Sequence, residues 1–295
     1  MAACTFLRKK VRVLSGCRAN ADMNLEQQIW AGEGVQAFRF THPGEGEHVD
    51  PKSERAEVTS VNFLETGLFG LTVGRDSWEM DQSQCFVTRP GLVYRSRHRE
   101  AVPTDVFLSV CYDEETVDEV FSIGGQGRDR PVAPVSNRSR YLLLRLKDRI
   151  CAGRVETLEV DLLARGLLAE ALTTDSRRQY SDHQIKWYTS RIEAARCNFE
   201  SGFHRQHSLS AVAKSVGMSP YHFAHIFAEL TGIPPHRYLL RVRLKAAASL
   251  LREGVDVTSA CFQVGFNQVS HFSRMFRREY GCAPSRYREL RGGRR

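Results

Sequence analysis

The residues of this sequence best suited to recognising another molecule occur in two related groups near its C-terminal end. Tyr221, His222, Ala224 and His225 follow Ser219-Pro220; Asn267, Ser270, Ser273, Arg274, Arg277 and Arg278 follow Gly265-Phe266, and Arg288 lies further on. An arginine fork can hold the O6 and N7 acceptors of one guanine together, which makes Arg274 the foremost candidate for reading a base edge. Arg277, Arg278 and Arg288 suit phosphate contacts, which position a protein on a duplex without reading its sequence. His225 reads equally as a base contact or as an ordinary surface histidine. Asn267 and Ser270 can either cap their helix or touch nucleic acid, and Arg291 to Arg295 reads as a frayed basic tail.

The charge balance points the same way. The chain of 295 residues carries a formal charge of +8. From Gln184 onward 18 basic residues face 7 acidic ones, a net +11, so the preceding residues are mildly acidic. A basic third on an acidic body is the electrostatic footprint of a polyanion-binding module. The length suits about two domains, and 42% hydrophobic with 26% charged content is ordinary for a globular protein. No window approaches the ~18 apolar residues of a membrane-spanning helix, so no membrane partner is expected.

These groups must be presented by helices, and the sequence repeats the device that does so. Val216-Gly217 matches Val264-Gly265. After one inserted residue, Phe223, Phe227, Gly232, Pro235 and Tyr238 match Phe272, Phe276, Gly281, Pro284 and Tyr287. Leu209, Val212 and Ala213 space a short helix that Gly217 ends, where a positive φ is cheap. Ser219 offers an N-cap with Pro220 at the first helical position, and Asn267 is expected to cap in the same way. Phe223, Ile226, Phe227 and Leu230 then form a buried face at i, i+3, i+4, i+7. Phe272, Met275 and Phe276 do so in the second copy, leaving the residues named above pointing outward. Ala213 and Cys261 occupy the place where crossing helices admit only a small side chain.

Two helix–turn–helix units joined by a helix over Tyr238–Leu251, with Arg243-Leu244, Ala247 and Leu250-Leu251, resemble the AraC/XylS family of bacterial transcription regulators. The resemblance covers about 105 residues and is carried most clearly by GFNQVSHFSRMFRREYGCAPSRYR. Cys261 in place of the usual alanine is a mild departure. The resemblance implies two recognition helices entering successive major grooves of promoter DNA, spaced by one turn of ~34 Å, and a contact with RNA polymerase during activation.

The N-terminal part has a strand-like texture from Leu25 to Pro134. Phe69, Leu71 and Val73 alternate with small or polar residues, as do Trp78 and Met80; Cys85-Phe86-Val87 and Val106–Val110 are cut off by Pro90-Gly91 and Gly124-Gly125. An antiparallel sandwich or barrel is expected, and the whole chain is α+β. The family outline implies a cupin-like barrel for a small effector. Trp78, Phe86 and Tyr94 are candidates to line its pocket, and Arg95, Arg97 and His98 to hold an acidic ligand. Core packing and solvated charge are the competing readings. No H-x-H pair marks a metal site, so neither metal nor other cofactor is expected.

Helical spacing takes over from Ser136. Val155, Leu158, Leu162, Ala169 and Leu172 form one stripe and Leu163, Leu167 and Ala171 another. One stripe can pack on the strand-rich domain and the other on a second copy, so a homodimer is expected. The domain reading is therefore 25–135 for an effector-sensing domain, 136–183 for a helical dimerisation region and hydrophilic linker, and 184–295 for the DNA-binding domain. Residues 1–24 read as a disordered tail or an overcalled start. Leu14-Ser15-Gly16-Cys17 mimics a lipoprotein box, but Arg12 interrupts the apolar stretch that a signal requires. The eight cysteines show no C-x-x-C pair, which suits a reduced cytoplasm. A DNA-repair enzyme using the same repeat is the alternative reading; it calls for a four-cysteine zinc cluster that the sequence does not contain.

Overall fold

The computed structural model describes residues 25–43, 48–49, 53–98, 104–124, 130–152, 157–173 and 180–292. The tail at 1–24 and its lipoprotein-like box, Val155, and the last three arginine-tail positions lie outside them. The chain forms two compact units, Met1–Ser181 and Asp182–Arg295.

The first unit is built on two antiparallel sheets. One holds β1 (Leu25–Ala31), β2 (Val35–Pro43), β5 (Thr59–Thr66), β8 (Gln84–Thr88), β10 (Thr104–Tyr112) and β11 (Val132–Pro134), in the order β1-β2-β10-β5-β8-β11. The other runs β3 (His48–Val49), β9 (Val93–His98), β6 (Phe69–Val73), β7 (Asp76–Met80), and β4 (Glu54–Arg55) pairs with β9. Leu64, Phe69, Leu71, Met80, Phe86 and Tyr94 form one buried cluster drawn from both sheets. β5 is buried from Thr59 through Leu64 on both of its faces. A strand covered twice shows no alternation in its sequence.

Among the described residues, three helices accompany the sheets: α1 (Glu114–Gly124), α2 (Asn137–Cys151) and α3 (Thr157–Thr173). Ser136 caps α2 through the Ser139 N–H. Tyr112 of β10 donates its hydroxyl to the Ala164 carbonyl of α3 at 2.8 Å, a buried bond that fixes that helix against the sheet. The two leucine stripes of the sequence are redistributed along α3. Leu163 and Leu167 are buried, together with Val160, Ala164 and Leu168. Leu158 and Leu162 are 66% and 61% exposed. Leu172 is buried although it falls near Leu158 around the helix axis; cover changes along the helix, which periodicity alone does not register.

The second unit is all helical: α4 (Asp182–Gly202), α5 (Leu209–Ser215), α6 (Pro220–Thr231), α7 (Pro235–Arg252), α8 (Val257–Gln263), α9 (Val269–Tyr280) and α10 (Pro284–Gly292). α4 begins within the stretch read as linker, and α7 is longer at both ends than the joining helix drawn from sequence. The repeat is geometric as well as textual. Phe223 and Phe227 stand 5.5 Å apart and Phe272 and Phe276 5.6 Å. Phe227 meets Tyr238 edge-on at 5.5 Å, and Phe276 meets Tyr287 edge-on at 5.3 Å, the arrangement that aromatic quadrupoles favour. Ala213 and Cys261 are both fully buried. Burial also pushes the Cys261 thiol above its ordinary pKa.

Candidate nucleic-acid interface

In the first helix–turn–helix, Ser208 caps α5 through the Ala211 N–H. Gly217 then turns the chain at φ +68°. Ser219 accepts a bond from the His222 N–H, and Pro220 opens α6. This delivers Phe223, Ile226, Phe227 and Leu230 to the core, all fully buried. The other side of α6 presents Tyr221, His222 and His225 to solvent, with Ala224 half-buried between them. Tyr221 is 86% exposed, an aromatic ring with a polar tip that folding leaves available.

His222 differs from its neighbours. Its Nε2 lies 3.1 Å from the Tyr188 hydroxyl of α4. Tyr188 packs edge-on against Trp187, over which the Arg191 guanidinium sits at 3.5 Å. The sequence places His222 among the contact candidates; the structure ties its ring to the first helix of the domain.

In the second helix–turn–helix Asp256 caps α8 through the Ser259 N–H at 2.9 Å. Bonds from Ser259 hold the Asp256 carboxyl below its usual range, with a smaller contribution from Arg288. Arg288, expected to contact phosphate, is half-buried on α10. The expected Asn267 cap is not formed. The inserted residue of this copy moves the N-cap to Gln268, which makes no side-chain cap bond, and Asn267 Oδ1 instead accepts from Gln206 Nε2 at 3.3 Å.

α9 buries Phe272 and Phe276 and exposes Ser270, Arg274, Arg277 and Arg278, with Ser273 partly covered. None of these three arginines has an acidic partner among the described residues. The acid of this helix, Glu279, lies 3.6 Å from Arg241 of α7. The face is therefore an uncompensated cationic surface on a helix whose other side is locked in the core.

Sequence reading missed a cleft of about 690 Å³ between the two helix–turn–helix units. Its lining includes His207, His236, Arg237, His271 and Arg278, with no carboxylate, over apolar residues such as Leu240 and Phe266. The basic pair His236-Arg237 at the start of α7 was the available signal.

The effector candidates divide differently. Phe86 and Tyr94 pack edge-on at 4.9 Å within the buried cluster, and Trp78 packs against it. The Tyr94 hydroxyl donates to Glu54 at 2.9 Å. Arg95 and Arg97 are exposed on the opposite face of β9, since alternate residues of a strand point both ways. The side chain of His98 lies outside the described residues. The five described side chains lie on two faces, Trp78, Phe86 and Tyr94 with the buried cluster and Arg95 and Arg97 in solvent. Among the described residues no three His, Cys, Asp or Glu side chains are grouped to hold a metal, and no helix is long and apolar enough to cross a membrane.

Two helix pairs, three of their four helices capped by a side chain and each pair with a buried aromatic face and an exposed polar one, define a double helix–turn–helix domain. Residues 212–290 match the family model described as a helix-turn-helix domain, the region that carries the resemblance to the AraC/XylS regulators. Over 138 residues the chain is 36% identical to the HTH-type transcriptional activator RhaS of Escherichia fergusonii, covering 46% of this chain and 44% of that one. The chain thus spans less than half the length of the curated relatives it matches. Among solved structures it is similar to the C-terminal domain of AraT, a response regulator from Geobacillus stearothermophilus. That match has 25% identity over 34% of this chain and 85% of that one, with a TM-score of 0.33. ToxT of Vibrio cholerae, solved with an unsaturated fatty acid bound, aligns over 91% of this chain and 99% of that one at 11% identity and a TM-score of 0.37.

Proposed function

We propose that the chain is a sequence-specific regulator of transcription that binds double-stranded promoter DNA through α6 and α9. The observation that carries this reading is the pair of equivalent helices. Each is held by a buried aromatic face, and they expose Tyr221 and His225 in one copy and Arg274, Arg277 and Arg278 in the other. Their placement in a matched helix-turn-helix domain, and the likeness to a transcriptional activator, support it. The N-terminal unit would answer to a small-molecule effector. The exposed Leu158 and Leu162 favour a homodimer, and activation would proceed by contact with RNA polymerase. On this reading the protein works in the cytoplasm and is not an enzyme.

The test is selection of bound duplexes from a random pool by the full chain, followed by titration of enriched and scrambled DNA. A motif with two parts about one helical turn apart is the expected result. Equal affinity for every duplex would overturn the reading.

A further inference from the structure

The two turns that follow α5 and α8 each carry a glycine at positive φ, Gly217 at +68° and Gly265 at +87°, yet their surroundings differ. A Cβ built on Gly217 meets nothing within 4 Å. One built on Gly265 would lie 2.7 Å from the His204 carbonyl oxygen and 3.1 Å from Arg243 Nη2. Gly217 supplies a backbone conformation only; Gly265 also supplies the absence of a side chain, because the turn of the second helix–turn–helix rests on the α4–α5 loop that leads into the first.

That loop is held from the other side as well. Arg243, on the joining helix α7, donates its Nε–H to the Phe203 carbonyl at 2.8 Å and its Nη2–H to the Arg205 carbonyl at 2.8 Å. A planar fork suits two carbonyls in a way a lysine ammonium does not. Gln206 of the same loop donates to Asn267 across the junction at 3.3 Å. The loop, the joining helix and the second turn therefore meet at one point, through backbone atoms and one guanidinium. This is a stiffer joint than a single helix between two units would be.

We propose that this Arg243–His204–Gly265 junction fixes the separation of the two recognition helices and thereby selects the number of base pairs between the two halves of the DNA site. The inference rests on the DNA-binding reading above. One added base pair moves the second half-site by about 3.4 Å and about a tenth of a turn, a displacement that a rigid reader does not follow. Arg243 acts here as a positioning residue, since its guanidinium is engaged with the loop.

The experiment uses the full chain and the duplex enriched by selection, together with versions carrying one or two base pairs more or fewer between its halves. Affinities are read by fluorescence anisotropy. Wild type should lose about tenfold or more on each altered spacing. Arg243→Gln and Gly265→Asn should bind the correct spacing more weakly and reduce that penalty to about twofold, with the base preference inside each half unchanged. Gly217→Asn is the matched control: asparagine tolerates the positive φ, and the penalty should remain at its wild-type value. Circular dichroism verifies folding, and if Gly265→Asn does not fold, Arg243→Lys decides, because it keeps the charge without the fork. Folded Arg243 and Gly265 variants with the full penalty, or a wild type indifferent to spacing, would overturn the proposal. If no motif enriches, the DNA-binding reading fails and this inference with it; an enriched motif with unchanged penalties removes this inference alone.

Discussion

His222 Nε2 and the Tyr188 hydroxyl lie 3.1 Å apart, and their rings are centred 5.5 Å from one another. The histidine belongs to the exposed side of α6, yet its polar atom is directed to α4 rather than left free as Tyr221 is. His222→Ala should therefore change affinity for the selected DNA by less than about threefold, whereas Tyr221→Ala should cost about 1–3 kcal/mol on that site. Equal losses from both, measured by anisotropy on the same duplex, would remove the distinction.

Arg274 and Arg278 should separate by the kind of loss they cause. Arg274→Ala is expected to cost about 1–3 kcal/mol on the selected site and far less on random DNA. Arg278→Ala should weaken binding to every duplex alike and lower the slope of log affinity against log salt by about 0.9. The check is a salt titration of both variants on both duplexes. If the Arg274 variant loses equally on both, the residue contacts only phosphate.

Asp256 sets a pH dependence whose sign follows from its depressed pKa in the folded state. Its stabilising contribution is fully present at neutral pH. It declines as pH falls through the ordinary aspartate value and is lost as pH falls through the depressed folded value. Asp256→Ala should thus lower the thermal midpoint at pH 7, and the difference from wild type should narrow on acidification toward about pH 3. Thermal melts followed by circular dichroism at the two pH values check it, and a difference that widens in acid contradicts it.

The leucines of α3 give two opposite outcomes. Leu158 and Leu162 are exposed, while Leu163 and Leu167 are buried. Replacing Leu158 and Leu162 with glutamate should leave a folded monomer, and replacing Leu163 and Leu167 should unfold the first unit, since two carboxylates would be buried without partners. Light scattering with circular dichroism reads both. A wild type that already runs as a monomer at micromolar concentration would refute the homodimer.

Much of the C-terminal unit is determined by short-range chemistry and was legible in the chain. Gly217 permits the turn, Ser219 and Pro220 start α6, and Phe223, Ile226, Phe227 and Leu230 point inward because a helix of 3.6 residues per turn brings them to one face. The exposed arginines of α9 follow from the same periodicity. The tertiary structure decided what depends on neighbours distant in sequence. One inserted residue transferred the cap from Asn267 to Gln268, and Gln206, 61 positions away, engaged the freed carboxamide. β5 hid its alternation because both of its faces are covered. Tyr94 and Arg95, adjacent in the effector reading, went to opposite faces of one strand. The two turn glycines look equivalent as letters, and local backbone preference accounts for both. Only the approach of the His204 carbonyl and the Arg243 guanidinium makes Gly265 a joint between units, because steric exclusion at a point depends on which distant atoms the fold brings there.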